Sequence, residues 1–199
     1  MQGKRIILAG IVGLITYALA IPTFAEMPAP YGWYVEGNVG STNVYNKSYP
    51  GSASTSGWGA DINLGYKFMP YFSMEAGYNR YATTTIKNSA GTKAGQDKHY
   101  SFDLTSKGIV PLSATGFELF GKLGIERVTS SLTISNATAA SGIGLISGNH
   151  STTGVYLGAG AEYYFTPVLA GIVQWSRSIG NRSTGTLDLV SVGASYIFA

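Results

Sequence analysis

Residues 57–80 read GWGADINLGYKFMPYFSMEAGYNR. One parity of the first half is Trp58, Ala60, Ile62, Leu64, Tyr66 and Phe68, and the other carries Asp61, Asn63 and Lys67. Met69-Pro70-Tyr71 interrupts the pattern, which resumes with Phe72, Met74, Ala76 and Tyr78 against Glu75. A period of two belongs to a β-strand, whose successive side chains point to opposite faces. Pro70 has no N–H for a ladder, so it marks a turn. The stretch is therefore a hairpin with one wholly uncharged face.

The same alternation runs outward along the chain. Candidate strands fall at 32–45, 57–69, 71–86, 97–111, 115–131, 150–166, 167–180 and 185–199. The uncharged parity continues through Trp33, Val35 and Val39, then Tyr100, Phe102 and Leu104, then Leu119, Leu123 and Ile125. It goes on through Val155, Leu157 and Ala159, then Val173 and Trp175, and ends on Val190, Val192, Tyr196 and Phe198. The opposite parity carries Glu36, Asp61, Lys67, Glu75, Asp103, Lys107, Glu118, Lys122, Glu126 and Glu162.

A soluble sandwich also alternates, but it packs its aromatics in the middle. If the chain runs up and down, Trp33, Tyr66, Phe68, Phe72, Phe117, Tyr163, Phe165, Tyr196 and Phe198 fall at one end of the apolar face. Trp58, Tyr78, Tyr100 and Trp175 fall at the other, with aliphatic residues between. Two aromatic girdles around an aliphatic band suit a wall that meets two lipid–water interfaces. Strands can span lipid only as a closed ring, because every backbone N–H and C=O must be paired internally. The expected fold is all-β: an eight-stranded antiparallel up-and-down transmembrane β-barrel. The connections agree, with tight turns at 69–71, 111–116 and 166–167. Longer Ser/Thr/Asn/Gly-rich loops are expected at 46–56, 86–97, 130–149 and 180–185. Short periplasmic turns and longer external loops are the usual asymmetry.

Residues 1–25, MQGKRIILAGIVGLITYALAIPTFA, place Lys4 and Arg5 before an apolar run and end on Thr23-Phe24-Ala25. That is the order of a secretory signal peptide, so the mature chain is expected to start at Glu26 and residues 26–199 to form one barrel domain. The alternative is a retained anchor, which Gly10, Gly13 and Thr16 weaken.

Composition excludes several classes. The chain has 27 Gly, 25 aromatic residues and only 12% charged residues in 199, a poor recipe for helices and a good one for turned strands. There is no cysteine, so thiolate chemistry is excluded. Without Lys4 and Arg5, 11 basic residues face 10 acidic ones, and no basic stripe points to nucleic acid. His99 and His150 lie in different segments, so no metal site or cofactor is expected.

The ordered set GWYVEGNVG (32–40), LGYKFMPYFSMEAGYNRY (64–81), DLTSKGIVPL (103–112), ELFGKLGIERV (118–128), GVYLGAGAEYYFTP (154–167) and VGASYIF (192–198) resembles the transmembrane domain of the OmpA family of outer-membrane proteins. The resemblance implies residence in the cell outer membrane and contact with its lipid and lipopolysaccharide. It also implies insertion by the barrel-assembly machinery, for which Tyr196-Ile197-Phe198 resembles the recognition signal, with Ala199 a departure. The peptidoglycan-binding domain that many members carry is not expected here. By the same resemblance Glu75, Lys107 and Glu162 occupy the positions of a luminal carboxylate–lysine–carboxylate cluster that gates the barrel. Ile172 stands where the family's arginine falls, and Lys122 is the available substitute.

Three functions follow as alternatives. The leading one is a non-enzymatic, monomeric structural protein that displays four loops to a host or surface ligand. The second is a small gated pore, although a barrel of this size is just filled by its own side chains. The third is a lipid A-modifying hydrolase, because His99-Tyr100-Ser101 resembles the His-x-Ser element of outer-membrane deacylases. There the parity turns His99 and Ser101 inward with Asp103, and no catalytic residue is assigned. His150 is read as a solvated loop residue.

Overall fold

A computed structural model describes residues 31–112 and 116–198. The expected signal peptide at 1–25, the expected start of the mature chain at Glu26, residues 113–115 and Ala199 lie outside the described residues. The described residues form ten strands, β1 (Gly32–Tyr45), β2 (Ser52–Ser54), β3 (Ser56–Met69), β4 (Phe72–Arg80), β5 (Thr84–Lys87), β6 (Lys93–Leu112), β7 (Phe117–Ile134), β8 (Gly148–Tyr164), β9 (Leu169–Ile179) and β10 (Thr186–Ile197). A short helix, α1 (Ala137–Ser141), follows β7. No helix among the described residues is long and apolar enough to cross a membrane.

Eight strands pair antiparallel in the cyclic order β1-β3-β4-β6-β7-β8-β9-β10, and β1 returns to β10. The seam runs from Tyr34↔Ile197 to Tyr45↔Thr186. The wall therefore has no free edge. β2 and β5 form a small extension on the β6 side above the ring.

Burial follows the alternation. On β6, Asp97, His99, Ser101, Asp103, Thr105 and Lys107 are buried while Lys98, Phe102, Leu104 and Val110 are exposed. Polar residues fill the inside, and Ile62, Leu64, Leu123, Ile125, Val190 and Val192 are about half exposed or more on the outside. Gly65 is a position where a side chain has no room, since a Cβ there would lie 2.3 Å from the Tyr34 ring. Tyr34 thereby turns its hydroxyl into the lumen across the face of β3.

At the long-loop end the expected bounds of one strand and three loops change. The third strand, expected at 71–86, leaves the ladder after Arg80. Tyr81 and Ala82 are consecutive and both buried, which a period-two strand cannot provide. Instead the Tyr81 N–H donates to His99 O, and the Ala82 N–H to Thr42 Oγ1. The expected loops at 46–56, 86–97 and 130–149 contain β2, part of β6 and β7, and α1. Their sparse apolar residues meet: Ile86, Ala94, Ala139, Ala140 and Leu145 form a second small core, with Tyr49, Ala53, Leu132 and Ile143 against it. Asn136 caps α1 by accepting from the Ala139 N–H.

Candidate functional site

The candidate site is the lumen, where inward positions of all eight ring strands converge. Glu75 on β4, Lys107 on β6, Lys122 on β7 and Glu162 on β8 are each at most 3% exposed. Lys107 pairs with Glu162, with Glu75 at 3.4 Å and with Glu36 of β1 at 3.3 Å. Lys122 bridges Glu36 at 2.9 Å and Glu75 at 2.7 Å. Glu36 is thus a full member of the cluster, which its inward parity alone does not reveal. Tyr34 donates to Glu75 at 2.6 Å, and Lys107 lies 4.3 Å over the Phe120 ring. Ile172 packs with Ile109 and Phe120 in an apolar patch beside the lysines.

Buried ammonium and carboxylate groups are costly to desolvate and hold together when each charge keeps its partners. The network satisfies that condition from strands that are distant in sequence. Nearer the short turns, Lys67 and Glu118 make a separate pair at 2.9 Å. Toward the long-loop end the carboxylates rely on neutral donors. Asp61 accepts from Asn38, Asn63 and Gln174, Asp103 accepts from Asn79, and Glu126 accepts from Ser178. Above them Val44, Tyr81, Val128, Leu187 and Leu189 close the lumen with an apolar layer.

The first long loop folds back over this mouth. Lys47 pairs with Asp97 at 2.6 Å, Tyr49 donates to Asp97 at 2.9 Å, and Ser130 donates to the other Asp97 oxygen at 2.7 Å. His99 Nε2 lies 3.3 Å from the same carboxylate. Burial alone pushes the Asp97 carboxyl up. Hydrogen bonds from His99, Lys47 and Ser130 and the charge of His99 outweigh it, so Asp97 is held well below the ordinary carboxylate range. Burial, the charge of Asp97 and the bond to it push the Tyr49 hydroxyl up. Asp97 is therefore the anionic pin of a latch that ties the loop to β6 and β7.

His99 and Ser101 both face inward but serve different partners. Ser101 accepts from Asn79 and lies 3.5 Å from the Tyr81 hydroxyl. His150 is exposed, on strand β8 instead of in a loop.

On the outer wall Trp33, Tyr66, Phe68 and Phe72 make a chain of ring contacts at 4.8–6.0 Å near the short turns. Tyr163 lies 5.2 Å from Phe165, and Tyr196 5.5 Å from Phe198. At the other end Tyr78, Tyr100 and Phe102 cluster at 5.0–6.3 Å, while Trp58 is 81% exposed and Trp175 stacks under Arg177. Phe102, on the outward parity of β6, belongs to this cluster as well.

The sequence profile described as outer membrane protein beta-barrel domain matches residues 7–198. The Neisserial surface protein A structure is similar with a TM-score of 0.60 at 16% identity, covering 84% of this chain and 97% of that one. OprG from Pseudomonas aeruginosa is similar at 0.59 and 10% identity, covering 85% and 98%. Ail of Yersinia pestis, in complex with the heparin analogue sucrose octasulfate, is similar at 0.54 and 17% identity, covering 84% and 99%. A comparison with curated protein sequences finds no match.

Proposed function

The chain belongs to the outer membrane β-barrel domain family and is an integral outer-membrane protein, and from that premise we infer that it serves as a closed, non-enzymatic wall protein displaying an ordered external cap. In this reading residues 1–25 are a signal peptide removed on export, and residues 26–199 are the barrel domain, inserted by the barrel-assembly machinery. The two aromatic clusters are its interfacial girdles, in contact with outer-membrane lipid and lipopolysaccharide. The monomer presents the external connections between ring strands, residues 46–55, 81–92, 135–147 and 180–185, to a host or surface ligand. Exposed connections on a rigid scaffold are where such contacts are made.

The observation that carries this reading is the obstruction of the lumen in successive layers. The Lys107–Lys122 network, the Val44–Leu189 apolar layer and the Asp97 latch each block the same path. The arrangement around His99 and Ser101 supports the non-enzymatic part, because the two side chains are bound to different neighbours.

Planar-bilayer recording with the refolded mature barrel tests it. Rare, small openings are the expected result. Sustained conductance of an open aqueous pore would overturn the closed-wall reading in favour of a channel. One feature favours that rival: Lys107 touches three carboxylates and could exchange them, so frequent openings that Lys107→Met abolishes would assign the gate to it.

A further inference from the structure

Toward the long-loop end of the lumen, three carboxylates stand outside every ion pair. Asp61 on β3, Asp103 on β6 and Glu126 on β7 are at most 8% exposed, and among the described residues no basic side chain pairs with any of them. The luminal lysines are committed elsewhere: Lys67 to Glu118, and Lys107 and Lys122 to Glu36, Glu75 and Glu162. The space is shut by that network toward the short turns and by the Val44–Leu189 apolar layer above. Buried charges with neither partners nor bulk water are too costly to persist uncompensated.

The side chains around them supply the rest of a ligand shell. The ladders set Asp61 between Asn38 and Asn79, and Asp103 between Gly77 and Glu126. Gln174 donates to Asp61 at 3.2 Å and Asn79 to Asp103 at 2.7 Å, each through its amide nitrogen. Gln174 Oε1 and Asn79 Oδ1 are left without a hydrogen-bond partner, on residues at most 2% exposed. The oxygen and nitrogen of one amide share a carbon, so both orphaned oxygens lie beside the carboxylates that their nitrogens hold. Gly77 makes the room: a Cβ there would lie 2.5 Å from Asp103 Oδ2 and closer still to Asn63 Oδ1. Asn63 in turn donates to Asp61 at 2.8 Å, so its side chain borders both carboxylates.

We propose that this chamber is a site for an alkali cation, sodium or potassium, held between Asp61 and Asp103 by carboxylate and amide oxygens. Oxygen donors of both kinds suit hard cations. Among the described residues no group of three or more acidic or imidazole side chains is set to hold a metal ion by itself. The chamber therefore suits a singly charged ion shared with amides, and not a divalent metal caged by carboxylates. The site rests on the closed-wall reading, because the seals on both sides keep the ion in place. The two fail separately, since conductance reports the path and stability in different salts reports the ion.

Urea unfolding of the mature barrel in phosphatidylcholine vesicles tests it, at matched ionic strength in potassium, sodium or choline chloride. Choline is too large for the chamber and gives the reference for screening. A site with a Kd of about 10 mM shifts the folded-to-unfolded ratio about tenfold at about 100 mM potassium or sodium, and the shift saturates. D61N/D103N should migrate as the same heat-modifiable form and show one stability in all three salts. D188N, which alters the Arg177–Asp188 pair of β9 and β10, keeps the wild-type cation dependence. If the double variant does not refold, D61N and D103N are each read in the same way. Equal stability of the wild type in all three salts overturns the site, because protons then neutralise the carboxyls. A potassium or sodium dependence that survives D61N/D103N overturns it as well. Neither result touches the bilayer recording.

Discussion

Lys107 is where single residues matter most. It holds Glu36, Glu75 and Glu162 at once, so Lys107→Ala leaves three buried carboxylates with Lys122 as the remaining lysine of the cluster. Removing one partner of a buried network costs about 3–5 kcal/mol, because the remaining charges lose their compensation. Adding Glu75→Ala should restore part of that loss. Urea unfolding in lipid vesicles gives the coupling energy, expected at about 1 kcal/mol or more. A value near zero would mean that water solvates the charges and the network is inert. The inward parity of Glu75, Lys107, Lys122 and Glu162 could be read from the alternation alone. The membership of Glu36 could not, because its partners lie 71 and 86 residues away and meet it only after the ring closes. Phe120 and Tyr34 were also illegible as lysine partners, since aromatic residues in such a sequence point first to lipid.

At the scale of strands and loops, the wall should be polarised residue by residue. Leu64 is half exposed to lipid, whereas its neighbour Asn63 is 2% exposed and donates to Asp61. Leu64→Arg should cost about 2–4 kcal/mol, as for an arginine near the bilayer midplane. Asn63→Arg should cost clearly less, because Glu36 and Asp61 can receive the charge; equal losses in vesicle unfolding would contradict the register of β3. The latch makes a second prediction. Asp97 has a folded pKa below its ordinary 3.8, so its contribution is complete above that value and is lost as pH falls toward the lower folded one. The first loop should therefore stay pinned at neutral pH and loosen only below about pH 4. Asp97→Asn should release it at neutral pH, and trypsin, which cleaves after lysine, should then cut at Lys47 in the variant and spare the wild type. The latch is not legible in the sequence, because Lys47, Tyr49 and Ser130 lie 33 to 50 residues from Asp97 and meet it only once the first loop folds over the ring. The eight long segments were legible because burial on one face and lipid on the other enforce the period of two along their whole length.

As a whole molecule the barrel is an electrostatic tube with a net sign. Glu36, Asp61, Glu75, Asp103, Glu118, Glu126 and Glu162 are buried inside it against Lys67, Lys107 and Lys122. Any opening should therefore favour potassium over chloride, and neutralising Asp61, Asp103 and Glu126 together should reduce that preference. A reversal potential of anionic sign would show that the luminal charges do not set selectivity. The wall also closes on itself: the Phe198 N–H donates to Trp33 O, beside twelve register pairs between β1 and β10. In the assembled ring, then, no strand is first or last, and the order of the chain is one of eight equivalent ways to cut a circle. A gene rearranged to link Phe198 to Gly32 and to open between Met69 and Phe72 would encode the same cylinder from a different starting point.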